Sequence, residues 1–151
     1  MAVTLQTEEV VDCFNVGYQG KSLPELCSKL AANAVAIVVD VREHAWSQRP
    51  EFRKEVLKNT LADFGISYFH CKIAGNPFRP RKGEKVDFDA CAKLYAQHLK
   101  QTPEVLDAIE QVVGEHRAAL LCYEKERSSC HRDILLAALV ERNPRMKIVD
   151  L

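Results

Sequence analysis

The chain has 151 residues, of which 21 are lysine or arginine and 21 are aspartate or glutamate. That length suits one domain, residues 1–151, with a sizeable hydrophobic core. The balanced charge excludes a global field that would attract the protein to nucleic acid or anionic lipid, although a local basic patch would still do so.

The N-terminal segment and the cysteines favour a reducing compartment. Residues 1–14 lack the basic region followed by an apolar region that forms a secretory signal. No apolar run approaches the roughly 20 residues that span a bilayer, so no membrane partner is expected. The six cysteines lie mostly within apolar segments, which favours reduced thiols over disulfides. We therefore expect a cytoplasmic protein, and its oligomeric state is left open.

Apolar runs alternate with helical patterns in the first half of the chain. The patterns predict strands at residues 10–16, 34–41 and 66–73, and helices at residues 22–33 and 51–64. Ser22 is expected to cap the first helix and Gly65 to end the second, because these residue types favour those positions.

The second half of the chain opens with a loop and continues the alternation. Residues 74–85 contain two prolines and two glycines, which predicts the loop. Helices are predicted at residues 88–100 and 103–113, the second capped by Thr102. A strand at residues 118–123 precedes a helix that Ser128 or Ser129 caps and that runs to about residue 142. A last short strand at residues 147–149 is expected at a sheet edge.

These elements predict an α/β fold of three layers, a mostly parallel sheet of about five strands with helices on both faces. The pattern leaves the strand order open. In such a sheet, ligands bind beyond the carboxyl ends of the strands. Polar side chains follow the predicted strands there, and we expect them to meet in one pocket: Tyr18, Asp40, Arg42, His70, Cys122, Glu124, Cys130, His131 and Arg132.

The segment 122–132 is the richest in reactive groups. A thiol on a loop that opens a helix lies near the positive end of the helix dipole, and nearby cations favour its charged form further. This segment thus predicts a thiolate nucleophile or an anion site formed by Cys130, His131 and Arg132. The alternative is structural: Cys122 is a buried strand residue, and Arg132 pairs with Asp40 or Glu124.

A metal site is a second interpretation of the same segment. Cys122, Cys130, His131 and His70 are all residue types that bind zinc. Their spacing includes no C-x-x-C motif and no second close pair, which argues against a metal. The sequence therefore predicts no metal and no cofactor.

Other polar residues are open to both a functional and a structural interpretation. Asp40 would act as a base or neutralise Arg42, and His70 would move a proton or make a structural hydrogen bond. The short basic run of Arg79, Arg81 and Lys82 would contact phosphates or remain a solvated loop, and Trp46 would line a pocket.

The chain resembles the family catalogued as domain of unknown function 488, over nearly its whole length. The resemblance rests on separated motifs: Gly17-Tyr18-Gln-Gly20-Lys-Ser22, Val39-Asp40-Val41-Arg42, Ser47-Gln-Arg-Pro50-Glu-Phe52, Gly65-Ile66-Ser-Tyr68-Phe-His70, Gly75-Asn76-Pro77, Leu121-Cys122-Tyr-Glu124-Lys and Cys130-His131-Arg132. It implies an α/β fold and a shared pocket around these motifs, to which Tyr18 and Ser47 belong. It implies no particular activity.

A second similarity is to rhodanese-like sulfurtransferases. Residues 40–43 resemble their early Asp-Val-Arg-Glu motif, and Cys122 followed by Arg127 and Ser128 resembles their active loop. The resemblance implies that the loop amides and the arginine hold an anion around the cysteine.

The sequence as a whole predicts an enzyme with an anion-binding pocket built from cysteine and arginine. Its reaction is expected to be thiol-dependent sulfur transfer or action on a phosphorylated or nucleotide-like substrate. The expected catalytic residues are Cys122, Cys130, Asp40, Glu124 and His70, and the expected ligand-binding residues are Arg42, Arg132, His131, Tyr18 and Ser47. One alternative is a non-catalytic nucleotide or nucleic-acid binding module that uses Arg79, Arg81 and Lys82. Another is a structural domain whose polar cluster is an ion-pair network.

Overall fold

A computed structural model describes residues 10–78, 83 and 87–151 of the chain. Strands and helices alternate through it. The five strands are β1 (Val11–Gly17), β2 (Ile37–Asp40), β3 (Ser67–His70), β4 (Ala118–Cys122) and β5 (Met146–Asp150). The five α-helices are α1 (Leu23–Ala32), α2 (Lys54–Asp63), α3 (Phe88–Gln101), α4 (Glu104–Glu115) and α5 (His131–Arg142). Three short 3-10 turns lie at Pro50–Phe52, Lys72–Ala74 and Arg127–Ser129.

The five strands form one sheet in the order β3-β2-β4-β1-β5, and every neighbouring pair is parallel. The predicted α/β fold is thereby confirmed, and so is the edge position of the last strand. In the register, Gly17 lies opposite Cys122 and Asp40 opposite Leu121. The carboxyl ends of the three central strands therefore lie side by side.

Each face of the sheet is covered by its own apolar layer, as burial of a parallel sheet on both sides requires. Helices α1 and α2 cover one face, where Phe14 and Val38 of the sheet pack against Leu26, Leu57 and their neighbours. Helices α3, α4 and α5 cover the other face. There the sheet presents Cys13, Val39, Leu120 and Cys122, and the helices contribute Tyr95, Ile109 and Leu135.

Two of the predicted helix caps are wrong, and one is confirmed. Ser22 caps α1 in a reciprocal capping box with Glu25. Thr102 does not cap α4, because its N–H closes α3 on the carbonyl of His98 and Pro103 takes the cap position. Ser128 and Ser129 lie in a 3-10 turn, and the cap of α5 is Cys130, one or two residues later than expected.

Two predicted strands are shorter in the structure. The run at 34–41 contributes only β2, since Ala34 has a left-handed φ of 56° and belongs to a turn. The run at 66–73 ends at His70, because residues 72–74 turn into a 3-10 segment.

Within the described residues, no helix combines the length and the apolar character that crossing a membrane requires. All six cysteines carry free thiols. Cys13 and Cys27 are buried as expected for small apolar core residues, whereas Cys91 is only half-buried.

Candidate functional site

The first group of polar side chains at the strand ends is built around an ion pair between Asp40 and Arg42. Together with two tyrosines that hydrogen-bond to the pair, it forms what we call the aspartate–arginine cluster (Tyr18, Asp40, Arg42 and Tyr68). Asp40 ends β2, and Arg42 folds back on it so that Nε and Nη2 donate to the two carboxylate oxygens at 2.8 and 2.7 Å. Arg42 Nη1 donates to the Tyr18 hydroxyl at 3.2 Å and to the Phe52 carbonyl at 2.8 Å. The bidentate geometry and burial make this a strong, fully engaged pair.

Tyr68 adds a further donor to this carboxylate. It lies on β3, next to β2, and its hydroxyl hydrogen-bonds to Oδ2 of Asp40. Burial, and next the negative charge of Asp40, raises the pKa of Tyr68 above its ordinary value. Burial by itself lowers the pKa of Arg42, but the hydrogen bonds to Asp40, the negative charge of Asp40 and the interactions with Tyr18 together outweigh burial and raise it. Tyr68 therefore remains a neutral donor, and Arg42 remains charged.

The Asp40–Arg42 pair also fixes a short stretch of backbone that holds two histidines. The ring Nε2 of His70 lies 2.8 Å from the Arg42 carbonyl, and the ring Nε2 of His131 lies 2.9 Å from the Val41 carbonyl. A carbonyl oxygen only accepts hydrogen bonds, so both histidines carry a proton on Nε2. By fixing the backbone at residues 41–42, the ion pair helps to hold both histidine rings in place.

The second group is the thiol–imidazole cluster (Cys122, Cys130 and His131). Cys122 is the last residue of β4, and Cys130 and His131 lie at the start of α5. Their three ligand atoms all lie within 4.8 Å of one another. Cys130 Sγ lies 3.6 Å from Nδ1 of His131 and accepts the Arg132 N–H at 3.4 Å. The sulfur of Cys130 therefore takes the place of a side-chain oxygen as the cap of a 12-residue helix.

The two thiols of the cluster differ in environment. The hydrogen bond to Cys130, followed by burial, raises the pKa of Cys122 well above its ordinary value, and His131 opposes this shift. Cys122 is 1% exposed and Cys130 is 8% exposed. The N–H of Arg132 donates to Cys130 Sγ, which lies at the N-terminus of α5. Cys122 thus keeps its proton at neutral pH, and Cys130 is the more accessible thiol.

Arg132 connects the thiol–imidazole cluster to the neighbouring strand ends. Its side chain is 1% exposed, and its Nη1 and Nη2 donate to the carbonyls of Val16 and Glu124 at 3.0 and 2.9 Å. Its buried Nε has no hydrogen-bond partner among the described residues. The Glu124 side chain lies 3.5 Å from Cys122 Sγ through Oε2.

Gly17 allows this close approach of strand end and loop. A Cβ at Gly17 would lie 1.8 Å from the Glu124 carbonyl oxygen, a distance that no side chain tolerates. The glycine of the first motif is therefore required because the backbone after β4 passes directly over the end of β1.

The structure does not bring all the predicted site residues into one pocket. The aspartate–arginine cluster lies on the α1–α2 face, where Tyr18, Phe52 and Tyr68 belong to the apolar layer. The thiol–imidazole cluster lies on the opposite face, where Cys122 and Cys130 pack with Tyr95 and Leu136. The expectation of a single pocket is wrong because consecutive strand residues point to opposite faces of a sheet. What joins the groups is the backbone at residues 41–42.

Three other expectations have specific outcomes in the structure. The Arg132 side chain donates to the carbonyls of Val16 and Glu124, and the Asp40 carboxylate pairs with Arg42. Ser47 Oγ accepts the Arg49 N–H at 3.1 Å, within its own loop. Arg79, Arg81 and Lys82 lie outside the described residues.

Trp46 was expected to line a pocket together with nearby polar groups. Its ring is 58% exposed, and the Arg53 guanidinium lies 4.8 Å from its centroid. The contact is a cation–π pair at the surface.

In the loop that resembles a sulfurtransferase active loop, the arginine pairs with acidic side chains. Arg127 pairs with Asp133 and Asp150 at 3.8 and 3.2 Å. Cys122 instead faces the carboxylate of Glu124. Arg127 therefore contacts the first turn of α5 through Asp133 and the last strand through Asp150.

Two residues that support the site were not singled out from the sequence. Tyr68 shares a face of β3 with His70, and that two-residue spacing was a usable signal for it. Tyr95 packs edge-on against the His131 ring at a centroid distance of 5.1 Å and donates to the Ala74 carbonyl at 2.6 Å. Nothing in the sequence distinguishes Tyr95 from an ordinary core residue of an amphipathic helix.

Comparison with known proteins gives one result. The model of a family described as "Domain of unknown function DUF488" matches residues 22–139, a range that contains both clusters except Tyr18. No curated protein and no solved structure matches the chain.

Proposed function

The chain belongs to the DUF488 family, and from that premise we propose that it is an enzyme whose Cys130 thiol attacks a small phosphorylated substrate. The observation that carries the proposal is the position of Cys130 Sγ, 3.4 Å from the Arg132 amide and 3.6 Å from Nδ1 of His131. A thiol at a helix N-terminus beside an imidazole is the usual arrangement of an activated cysteine.

His131 is proposed as the base for this thiol. With Nε2–H held by the Val41 carbonyl, the neutral ring carries its lone pair on Nδ1, which faces Cys130. In the proposed step the thiol proton moves to Nδ1 and Sγ bonds to phosphorus. The phosphorus–oxygen bond of the ester breaks, and the leaving oxygen takes the proton back from Nδ1. Water then hydrolyses the phosphocysteine and restores the thiol.

The α5 N-terminus and Arg132 are proposed to receive the phosphate charge. Helix N-termini bind phosphate through free amides and the helix dipole. The unpartnered Nε of Arg132 supplies one donor for such a group. Arg42 contributes less directly, because its guanidinium is already engaged with Asp40, Tyr18 and the Phe52 carbonyl.

The remaining predicted residues receive positioning roles in the proposal. Asp40 orients Arg42, and through the Val41 carbonyl the pair orients His131. Glu124 is proposed to act on the thiol proton of Cys122 through the 3.5 Å contact. His70 stabilises the same backbone stretch through the Arg42 carbonyl. A reducing compartment such as the cytoplasm belongs to the proposal because the reaction needs free thiols.

Site-resolved alkylation tests the proposal on the native chain. Iodoacetamide is added at neutral pH with and without inorganic phosphate, and modified cysteines are identified by mass spectrometry. We expect Cys130 to react before Cys122, and phosphate to slow the reaction of Cys130 but not of Cys91. Cys91 is the matched control because it is half-buried and lies outside both clusters. Equal protection of Cys91, or no protection of Cys130, would contradict an anion site at this thiol.

Turnover is measured with p-nitrophenyl phosphate, a small aryl phosphate ester. We expect Cys130→Ser to abolish release of nitrophenolate and His131→Ala to lower it by about 10²-fold or more, the usual contribution of a general base. Cys91→Ser should retain full activity. Hydrolysis that survives Cys130→Ser would refute the nucleophile. Salt-sensitive binding of an oligonucleotide without any turnover would instead favour the nucleic-acid binding alternative.

A further inference from the structure

The thiol–imidazole cluster places three metal-binding atoms around one point. Cys122 Sγ, Cys130 Sγ and a ring nitrogen of His131 all lie within 4.8 Å of one another, and all three residues are buried. They come from two elements, the end of β4 and the start of α5. We propose that these three atoms form a site for a soft divalent cation of the zinc type, which goes beyond the proposed thiol chemistry because it uses Cys122 as well.

The distance between the sulfur of Cys130 and the imidazole of His131 agrees with tetrahedral coordination. Metal–sulfur bonds of about 2.3 Å and metal–nitrogen bonds of about 2.0–2.1 Å at a tetrahedral angle place sulfur and nitrogen about 3.6 Å apart. Cys130 Sγ and His131 Nδ1 are 3.6 Å apart. These two ligands are therefore already at the separation that a bound ion requires, and Cys122 Sγ lies within 4.8 Å of both.

The histidine is held as a ligand would be. Metal-binding histidines usually donate their second ring N–H to a carbonyl or carboxylate, which fixes the tautomer and the ring plane. His131 Nε2 lies 2.9 Å from the Val41 carbonyl, and Tyr95 packs edge-on against the ring. This leaves Nδ1 of the neutral ring directed at the two sulfurs.

The ligand set selects the class of cation. Two thiolates and one imidazole suit Zn²⁺ and similar soft or borderline ions, whereas Mg²⁺ and Ca²⁺ require oxygen ligands. Three protein ligands leave a fourth position for water or substrate, as in zinc sites with two cysteines and one histidine. An ion bound there holds Cys130 Sγ, so the metal-bound form cannot use that thiol as a nucleophile.

The sequence argued against a metal on the basis of ligand spacing. Cys122 lies eight residues before Cys130 in the chain, outside the usual short motifs. The segment between β4 and α5 folds so that the start of the helix lies beside the end of the strand, which brings the two thiols together.

Cobalt titration of the full chain tests the site. The reduced protein is treated with a chelator, the chelator is removed, and Co²⁺ is added. We expect one equivalent of Co²⁺ to produce tetrahedral visible bands and a thiolate charge-transfer band, both displaced by Zn²⁺. Cys122→Ala and His131→Ala should each weaken binding by at least about tenfold. Cys91→Ala should leave it unchanged.

Folding of the variants is checked by circular dichroism and by the midpoint of thermal unfolding. Zn²⁺ should raise that midpoint in the native chain and in Cys91→Ala, but not in the cluster variants. A native chain that gives no thiolate charge-transfer band, or a band that survives in a folded Cys122→Ala variant, would overturn the proposal. Metal binding by the native chain, together with no phosphatase activity of its metal-free form, would refute only the proposed function. Activity of the metal-free form without any metal binding would refute only the metal site.

Discussion

At the scale of single residues, one backbone carbonyl determines what His131 can do. The Val41 carbonyl accepts from Nε2 and so leaves Nδ1 to face Cys130. In this orientation His131 can act either as a base for the thiol or as a ligand for a metal, because both roles need a lone pair on Nδ1. The residue types alone do not determine the tautomer, which follows from the hydrogen bond.

The Asp40–Arg42 pair gives a stability prediction at the same scale. Asp40→Asn should lower the free energy of unfolding by about 3–5 kcal/mol, the usual cost of leaving one partner of a buried ion pair without its counter-charge. Asp40 is fully buried, and both its oxygens accept from Arg42. Denaturation by urea at pH 7 measures the change.

A partly exposed ion pair between Arg49 and Glu51 provides the control for Asp40→Asn. Arg49 and Glu51 are 3.1 Å apart but are both partly exposed. Glu51→Gln should change the free energy of unfolding by less than about 1 kcal/mol, as surface ion pairs do. Equal effects of the two substitutions would show that the buried pair has no special role.

At the scale of elements, the start of α5 positions two of the three residues of the thiol–imidazole cluster, Cys130 and His131. Helix α5 begins with a sulfur cap, and that cap places Cys130 against the first free amides of the helix. Residues 127–129 form a 3-10 turn that shifts the start of the helix past both serines. The short turn is therefore what converts Cys130 from a loop residue into a cap.

Helix α1 allows a cap to be tested by itself. Ser22→Ala should lower the free energy of unfolding by about 1 kcal/mol, because the Glu25 N–H then loses its side-chain partner. Ser28→Ala, the same substitution at an exposed position inside the helix, should leave stability within about 0.5 kcal/mol of the native value. Thermal unfolding of both variants provides the comparison, and equal losses would exclude a capping role for Ser22.

At the scale of the whole molecule, the buried thiols make stability depend on alkaline pH. Burial raises the pKa of Cys13 from 9.0 to about 12. The folded state thus holds its proton more tightly than the unfolded state does, so this contribution is complete below about pH 9 and is lost as pH rises toward 12. The native chain should lose free energy of unfolding across that range.

Substitution of Cys13 isolates its share of this pH dependence. Cys13→Ala should lose less free energy of unfolding than the native chain between pH 9 and pH 12, by up to about 4 kcal/mol. It should also be less stable at pH 7, since a buried side chain has been shortened. Urea denaturation at several pH values measures both effects. A Cys13→Ala profile parallel to the native one would contradict the assignment.

The sequence by itself determined the fold class, the capping of α1, the edge position of the last strand and the residues that lie at the carboxyl ends of the strands. These features depend on local patterns of apolar, capping and turn residues, which are read over short stretches of chain. Neither the strand order nor the capping of α5 by Cys130 followed from such patterns.

Only the tertiary structure decided which polar residues share a site. Asp40 and Cys122 both end central strands, yet they lie on opposite faces of the sheet with Arg42 and Cys130 respectively. The separation follows from the side-chain alternation of each strand combined with the strand order, and the strand order depends on long-range packing. Cys122, Cys130 and His131 converge more locally, because the short segment between β4 and α5 places the start of the helix beside the end of the strand.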